Sequence, residues 1–537
     1  MLDLGRTFLQ SVERSPRALA IVDGDIAWTY AQWYARVVGV ATGLSRLGIK
    51  PGDKLMSVLQ NRWEAATLHW ACQLAGIVIV PLNWRVKPDE LDYCLSDAEA
   101  CAVVFEPASA AAVGGSTAAA HIHRLGLDNV EGASVHFNAL LVDASSHITP
   151  ETLLVPFSPI ATVEDISLML YTSGTTGRPK GVPRRHRQER AAALAHVAQN
   201  IYRNGERTLG VMPLYHTMGV RSLLAMALVD GLFVCMRRWQ PAAAVQAISD
   251  HALSCLYLVP TLYHDLLRDP AFNPAAVVTV RKIGFAGAPM SDALLQRTAA
   301  AFVPEIFVNH YGSSEVYTVS IDQHAANKPG SAGRAGLNTR MRIIRLDARS
   351  VDEIVVPGEE GQIAVELLGD EAFEGYWKRP EANAKSLRDG WYLTGDIGMF
   401  DPDGDLFVTG RVDDMIVSGG ENISPVEIES LLSLHPAVDE VAVAGMPDER
   451  WGQRVVAYVK RCAPVDEATL DAYCSASGLV NFKRPRQYVF LDQIPKSPVG
   501  KILRRELRGG GPAQTESAEL HSTLSSHITT SQGAGHD

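Results

Sequence analysis

Short apolar runs alternate with longer segments of helical periodicity along most of the first three hundred residues, and this constrains the fold more than any other feature of the chain. Residues 54–59 (Lys-Leu-Met-Ser-Val-Leu) and 76–81 (Gly-Ile-Val-Ile-Val-Pro) read as strands buried on both faces, with a helix over 63–75 between them. Strands joined through a helix pair in parallel, whereas an antiparallel pair closes through a tight turn. The alternation resumes through 208–213, 223–231, 253–259, 280–286 and 305–311. Near the start, 1–27 predicts a short helix and an extended piece. Thr29-Tyr-Ala-Gln32 then fits a capping box, and Trp33, Val37, Ala41, Leu44 and Leu47 recur at helical spacing up to Gly48. The class expected is α/β.

The chain has 537 residues. A single core stops growing at roughly 250–300 residues, so at least two domains are expected. From about 330 to 412 the texture changes to glycine-punctuated short strands, which predicts an antiparallel subdomain closing the large one. A small α+β unit follows, in which Ser424-Pro425-Val426-Glu427 predicts a second capping box. Residues 106–150 are rich in Ala, Ser and Gly and read as a variable surface segment, and 509–537 as a disordered tail. The expected division is 1–412 and 414–508, with residue 413 between them.

Bulk composition excludes several classes. Hydrophobic content of 47% with 20% charged residues suits a globular protein. A net charge of −11 argues against a general nucleic-acid or anionic-membrane binder. The seven cysteines are odd in number and lack C-x-x-C spacing, as expected of reduced core residues in a cytoplasmic protein. No apolar stretch reaches the roughly 18 residues of a membrane span. Asp3, Arg6 and Glu13 make the N-terminus unlike a signal peptide.

Chemistry concentrates in Thr172-Ser173-Gly174-Thr175-Thr176-Gly177-Arg178-Pro179-Lys180-Gly181, directly after an apolar run at 166–171. Four hydroxyls, three glycines and a lysine lie within these ten residues. Such a loop suits polyphosphate: glycines let backbone N–H groups approach, hydroxyls donate, and Lys180 supplies a mobile positive charge. The common P-loop pattern cannot be laid over it. After it, Leu194, Val197 and Ile201 mark the apolar positions of a polar-faced helix.

Five further stretches follow in order: Pro213-Leu-Tyr-His-Thr-Met-Gly219, Asn309-His-Tyr-Gly-Ser-Ser-Glu315, Gly390-Trp-Tyr-Leu-Thr-Gly-Asp396, Gly410-Arg-Val-Asp-Asp-Met-Ile-Val-Ser-Gly-Gly-Glu-Asn422 and Pro495-Lys-Ser-Pro-Val-Gly-Lys501. With the phosphate loop they resemble the adenylate-forming superfamily of acyl- and aryl-CoA ligases, peptide-synthetase adenylation domains and luciferases. The resemblance is greatest to the 4-chlorobenzoate and benzoate–CoA ligases, at Asp448-Glu-Arg-Trp-Gly-Gln453 and Asn481-Phe-Lys-Arg-Pro485. It implies a large N-terminal domain hinged at Asp413 to a small mobile one.

The same resemblance implies the substrates and the site. ATP, with Mg²⁺, would be held by Thr172, Ser173, Gly174, Thr175, Thr176, Gly177 and Lys180, by Gly287, Ala288 and Pro289, and by Asn309, Tyr311, Gly312 and Ser314. Tyr311 would stack on adenine, Asp396 and Arg411 would bind the ribose, and Glu315 and Thr176 would serve the metal. Lys501 would stabilise charge gathering on the α-phosphorus during adenylation. Rotation about Asp413 would then replace Lys501 with Ser418, Gly419, Gly420 and Glu421, whose glycines can line a pantetheine tunnel. Arg85, Trp451, Phe482, Arg484 and Arg486 match positions that hold coenzyme A. The acyl pocket would be formed by His216, Thr217, Met218, Ala286, His310, Gly312, Tyr317 and Thr318.

His216 stands where amino-acid-adenylating relatives carry an Asp, which argues against an amino-acid substrate. His310 and Tyr317 are bulkier and more polar than in the chlorobenzoate ligases, and an unpaired buried polar group costs about 1–3 kcal/mol. The expected acid is therefore small and aromatic or heteroaromatic: 2-furoate, benzoate or a substituted benzoate. Fatty-acyl activation, or loading of a carrier protein, is the alternative. The expected partners are that acid, ATP and coenzyme A, with no nucleic acid and no membrane, the protein acting as a monomer or homodimer.

Overall fold

The computed structural model describes residues 2–141, 158–172, 178–496 and 502–508. The chain divides into two compact units, 1–408 and 409–537.

In the first unit, one sheet runs in the order Val135–His136, His123–Gly126, Ala100–Phe105, Lys54–Val58, Val78–Pro81, Ile166–Thr172, Lys180–Arg185. All its pairings are parallel except the last. That exception matters, because Ile166–Thr172 and Lys180–Arg185 form a hairpin, with Thr172 opposite Lys180. These two strands flank residues 173–177 of the phosphate loop in the sequence. Beside this sheet, every residue of the helix Trp63–Ala75 is buried. Such a helix is covered on all sides rather than amphipathic. Phe8 stacks on its Trp70 at 4.6 Å.

A second sheet has a parallel centre in the order Ile306–Tyr311, Lys282–Phe285, Cys255–Leu258, Arg207–Gly210, Leu232–Cys235, Leu19–Asp23. Beyond Ile306–Tyr311 it continues through Ser320–Asp322, Ser331–Ala335, Leu406–Arg411, Trp391–Phe400, Gly361–Glu366 and Met341–Ile344. The glycine-punctuated strands expected to form a separate closure thus extend the main sheet through Ser331–Ala335. The boundary between the units falls within Leu406–Arg411.

The second unit pairs Val438–Asp448 with Gly452–Arg461 antiparallel, and Gln487–Phe490 with the latter in parallel. Helices Pro425–Ser433 and Glu467–Ala476 supply Ile428, Leu432, Leu470 and Cys474 to its core.

Several local expectations are met and others are corrected. The Thr29–Gln32 capping box is closed in both directions. At Ser424 only half of one forms: the hydroxyl accepts from Val426 N at 3.2 Å, while Glu427 accepts from Lys483 Nζ at 2.7 Å. Residues 106–141 are not a loose surface segment. They add two strands to the first sheet and bury Leu125, Leu127, Phe137 and Leu140. Their small residues lack the apolar runs that would betray strands. Residues 142–150 and the expected tail at 509–537 lie outside the described residues.

The helix His186–Gln199 follows its sequence reading only in part: Val197 packs against the core, but polar residues are buried with it. Leu194 is 41% exposed, whereas His186, Gln188, Glu189, His196 and Gln199 are buried. Ile201 lies beyond the helix at a positive φ of 55° and is 43% exposed. The polar face packs inward because buried partners await it, as described below.

Candidate active site

Strand alternation sorts the residues following the parallel centre. In Ile306–Tyr311, Asn309 and Tyr311 share one face, and Val308 and His310 the other. The Tyr311 hydroxyl donates to Asp396 Oδ2 at 2.6 Å, which joins the two residues assigned to adenine and ribose although 85 positions separate them. Asp396 lies on Trp391–Phe400 where the pairing register with Gly361–Glu366 shifts, and its neighbour Gly395 has φ 77°. A bulge of this kind re-aims a side chain, here the carboxylate. Asn309 donates its amide to the Ser331 carbonyl at 2.7 Å. Gly287, Ala288 and Pro289 follow the strand Lys282–Phe285 after Ala286, and Gly287 has φ 84°, which favours glycine.

Residues 312–319 form a tight loop without helix or strand. Ser313 N donates to Val316 O at 2.8 Å, and Ser313 Oγ accepts from Glu315 N and Val316 N. At Gly312 a Cβ would lie 2.1 Å from the Tyr317 carbonyl oxygen, so only glycine fits. Ser314 is half-buried in this loop. The Glu315 carboxylate is buried and accepts from the Tyr376 hydroxyl at 2.7 Å. The Lys180 ammonium lies 4.1 Å from the centroid of the same Tyr376 ring. Tyr376 thus bridges the end of the phosphate loop and the carboxylate assigned to the metal. The pair suits Mg²⁺–ATP: a hard carboxylate oxygen beside a cation for phosphate. Burial and the adjoining carboxylate push the Tyr376 phenol well up, so it stays protonated and donates. Sequence reasoning missed Tyr376; the Gly375-Tyr376-Trp377 run was its available signal. Trp377 N donates to Gly181 O at 2.9 Å, which pins the loop's end.

His216 caps the helix Thr217–Leu228, its Nδ1 accepting from Met218 N at 3.3 Å. Met218 and Ala286, both assigned to the acyl pocket, share an apolar cluster with Met212, Tyr257 and Val259. Thr217 and Thr318 are buried. Gly219 allows the turn, since a Cβ there would sit 2.2 Å from Pro213 O.

His310 and Tyr317 join a buried polar network. The ring nitrogens of His310 lie 3.1 Å from Asn200 Nδ2 and 3.4 Å from Arg221 Nη1. Arg221 Nη2 donates to the Tyr317 carbonyl at 2.6 Å. The guanidiniums of Arg184 and Arg221 lie 4.1 and 5.3 Å from the Tyr317 ring centroid. His196, on the inward face of His186–Gln199, packs 5.3 Å from the His310 ring. Burial, with Arg221 adding repulsion, pushes both histidines well below their usual value, so both are neutral. His310 was expected to line the acyl pocket; here both of its ring nitrogens are within reach of protein donors.

In the second unit, Gly419 and Gly420 form the two-residue turn between Ile416–Ser418 and Glu421–Ile423, at φ 60° and 88°. Gly419 N donates to Trp451 O at 2.8 Å, and a Cβ at Gly419 would lie 2.8 Å from the Trp451 ring. The fold thus joins two of the stretches assigned to coenzyme A, with Trp451 48% exposed. Phe482 is exposed nearby in sequence to Arg484, which pairs with Asp471, and to Arg486, which donates to Asn481 O. Arg85, in the first unit, is exposed and stacks 3.7 Å from the Trp84 ring centroid. Arg411 and Asp413 belong to the second unit, Asp413 in the turn Val412–Asp414. Ser173, Gly174, Thr175, Thr176, Gly177 and Lys501 lie outside the described residues.

Residues 8–377 match the AMP-binding enzyme family, and 427–501 match the AMP-binding enzyme C-terminal domain. A feruloyl-CoA synthase of an Amycolatopsis species is 33% identical, with 94% of this chain and 98% of that protein covered. A 4-chlorobenzoate–CoA ligase of an Arthrobacter species is 32% identical over 93% of each chain. Among solved structures, ATP-bound MatB from Rhodopseudomonas palustris superposes with a TM-score of 0.83 at 27% identity, covering 94% of this chain and 98% of that one.

Proposed function

From a chain that belongs to the AMP-binding enzyme family and is an AMP-forming CoA ligase using ATP, Mg²⁺ and coenzyme A, we infer a ligase for small aromatic or heteroaromatic acids, with 2-furoate, benzoate and substituted benzoates as candidates. One observation carries the reading of the site: Tyr376 ties Lys180 of the phosphate loop to Glu315, while Tyr311 is hydrogen-bonded to Asp396.

ATP binds along the phosphate loop with its adenine against Tyr311 and its ribose at Asp396 and Arg411. Glu315 and Thr176 would hold Mg²⁺, which would supply neutralisation of the phosphate charge. The acid lies beside His216, Met218 and Ala286, with its carboxylate toward the α-phosphate. Lys501 stabilises the charge developed as pyrophosphate leaves. After movement about Asp413, the thiol of coenzyme A enters past Gly419 and Gly420, with Trp451, Phe482, Arg484, Arg486 and Arg85 holding its nucleotide.

The aromatic reading is supported by the apolar wall of Met212, Met218, Tyr257, Val259 and Ala286. The His310 ring packs 5.1 Å from the Tyr257 ring of this wall. Feruloyl and 4-chlorobenzoyl groups are the named substrates of the two relatives above. Pyrophosphate release with hydroxylamine as acceptor, across furoate, benzoate, chlorobenzoates, ferulate and C6–C16 fatty acids, tests it. The small aryl acids are expected to give the highest kcat/KM; a fatty acid ahead of all of them overturns the assignment.

A further inference from the structure

The buried network contains an ion pair with an unusual set of duties. Arg184 and Glu189 are both fully buried, with Arg184 Nε donating to Glu189 Oε1 at 2.8 Å. Arg184 is the penultimate residue of the strand Lys180–Arg185 that emerges from the phosphate loop, four residues beyond Lys180. Its Nη1 does not serve Glu189. It donates to two loop carbonyls instead: Glu315 at 3.0 Å and Glu371 at 2.6 Å. Nη2 has no hydrogen-bond partner among the described residues.

This is a poor arrangement if stability is the only purpose. Taking both charges out of water costs more than their attraction returns unless the geometry closes fully, and apolar residues of similar volume serve a core as well or better. An Arg–carboxylate pair optimised for itself is bidentate; this one is not. What the fork supplies is a fixed donor at the Glu315 carbonyl, in a loop with no regular hydrogen-bonding pattern. The Glu315 carbonyl also accepts from Phe373 N, and the Glu371 carboxylate accepts from Thr318 N at 3.0 Å. Arg184 therefore connects the strand after the phosphate loop, the Glu315 loop and the 371–376 segment that carries Tyr376. The inward polar face of His186–Gln199 follows from this, because Glu189 must reach Arg184.

We propose that Arg184, anchored by Glu189, is a positioning residue that holds the Glu315 loop in register with the phosphate loop, so that the Mg²⁺–ATP site is assembled before nucleotide arrives. The proposal rests on Glu315 serving the metal.

Replacing both partners, Arg184→Met with Glu189→Met, removes the pair without stranding a charge. Thermal unfolding and calorimetric ATP binding, with Mg²⁺ and with EDTA, are measured on the full chain. A residue that only fills the core predicts wild-type stability and wild-type binding. Positioning predicts a melting temperature within a few degrees of wild type, unchanged ATP affinity in EDTA, and a tenfold or greater loss of the tightening that Mg²⁺ confers. Arg184→Lys keeps the charge beside Glu189 but loses the fork; it is expected to lose the Mg²⁺ effect at least threefold, and serves should the double variant not fold. Wild-type Mg²⁺ tightening in either folded variant overturns the proposal. Glu315→Ala is run in parallel. If it loses the Mg²⁺ effect while the Arg184 variants keep it, positioning alone fails; if it keeps the effect, the metal assignment fails and the proposal with it.

Discussion

Tyr376 is the residue whose importance depends most on its neighbours. Its hydroxyl holds one oxygen of Glu315, and its ring lies under the Lys180 ammonium. A cation over an aromatic face and a hydrogen bond to a carboxylate together fix both polar groups in one geometry. Tyr376→Phe keeps the ring and removes the hydrogen bond. Hydrogen bonds to charged groups contribute about 1.5–3 kcal/mol, so kcat/KM for ATP in the adenylation step is expected to fall roughly 10- to 100-fold. Pyrophosphate release measured across a Mg²⁺ titration checks this, and an unchanged rate would reduce Tyr376 to a space-filling role. The motif strings located Tyr311, Glu315, Asp396 and Lys180 without any structure. Tyr376, signalled only by the Gly375-Tyr376-Trp377 run, was missed together with Arg184 and Arg221, because each acts on a residue far away in sequence.

Among the elements, the loop at 312–319 is the most constrained. Gly312 has ordinary φ and is required by space alone: a side chain would meet the Tyr317 carbonyl. Gly312→Ala must therefore push 312 away from 317, at a cost of about 1–3 kcal/mol if the loop absorbs it. The expected outcome is a modest drop in melting temperature with a much larger loss of adenylation, since the shift falls between Tyr311 and Glu315. Melting and adenylation declining in parallel would count against the loop as the sensitive part. The helix His186–Gln199 teaches the complementary lesson. Leu194, Val197 and Ile201 read as its apolar positions, yet only Val197 packs on the core, Leu194 faces solvent, and Glu189 and His196 are buried. Periodicity assumes that polar residues seek water, and a set of buried arginines and imidazoles reverses that preference.

Across the molecule, buried histidines set the response to acid. His69, at about 3, and His186, at about 4, are depressed by burial, and His196 and His310 are pushed well down for the same reason. All four lie in the 1–408 unit. Their unfolded forms take up protons near pH 6.5 while the folded forms do not, so each removes about 1.4 kcal/mol of stability per pH unit as pH falls below 6.5 toward the folded value. The buried carboxyls of Glu64 and Glu371 are raised and act with the opposite sign, which offsets part of the loss. In the second unit Glu429 is raised. Hydrogen exchange at pH 7.5, 6.5 and 5.5, corrected for intrinsic rates, is expected to show protection falling in the helix Trp63–Ala75 and holding in the strand Val438–Asp448. Equal change in both would contradict the assignment. None of the helices among the described residues is long and apolar enough to cross a membrane.

By itself the sequence determined the chemistry and the class of fold. Strand and helix periods are local, and a phosphate loop needs its glycines, hydroxyls and lysine close together in the chain. The tertiary structure decided which of those groups meet: Tyr311 with Asp396, Lys180 with Glu315 through Tyr376, and Gly419 with Trp451. It also decided that the helix after the phosphate loop buries polar residues, Glu189 among them. Burial depends on what packs opposite a face, and that partner, Arg184 with the loops it braces, is assembled only when distant segments fold together.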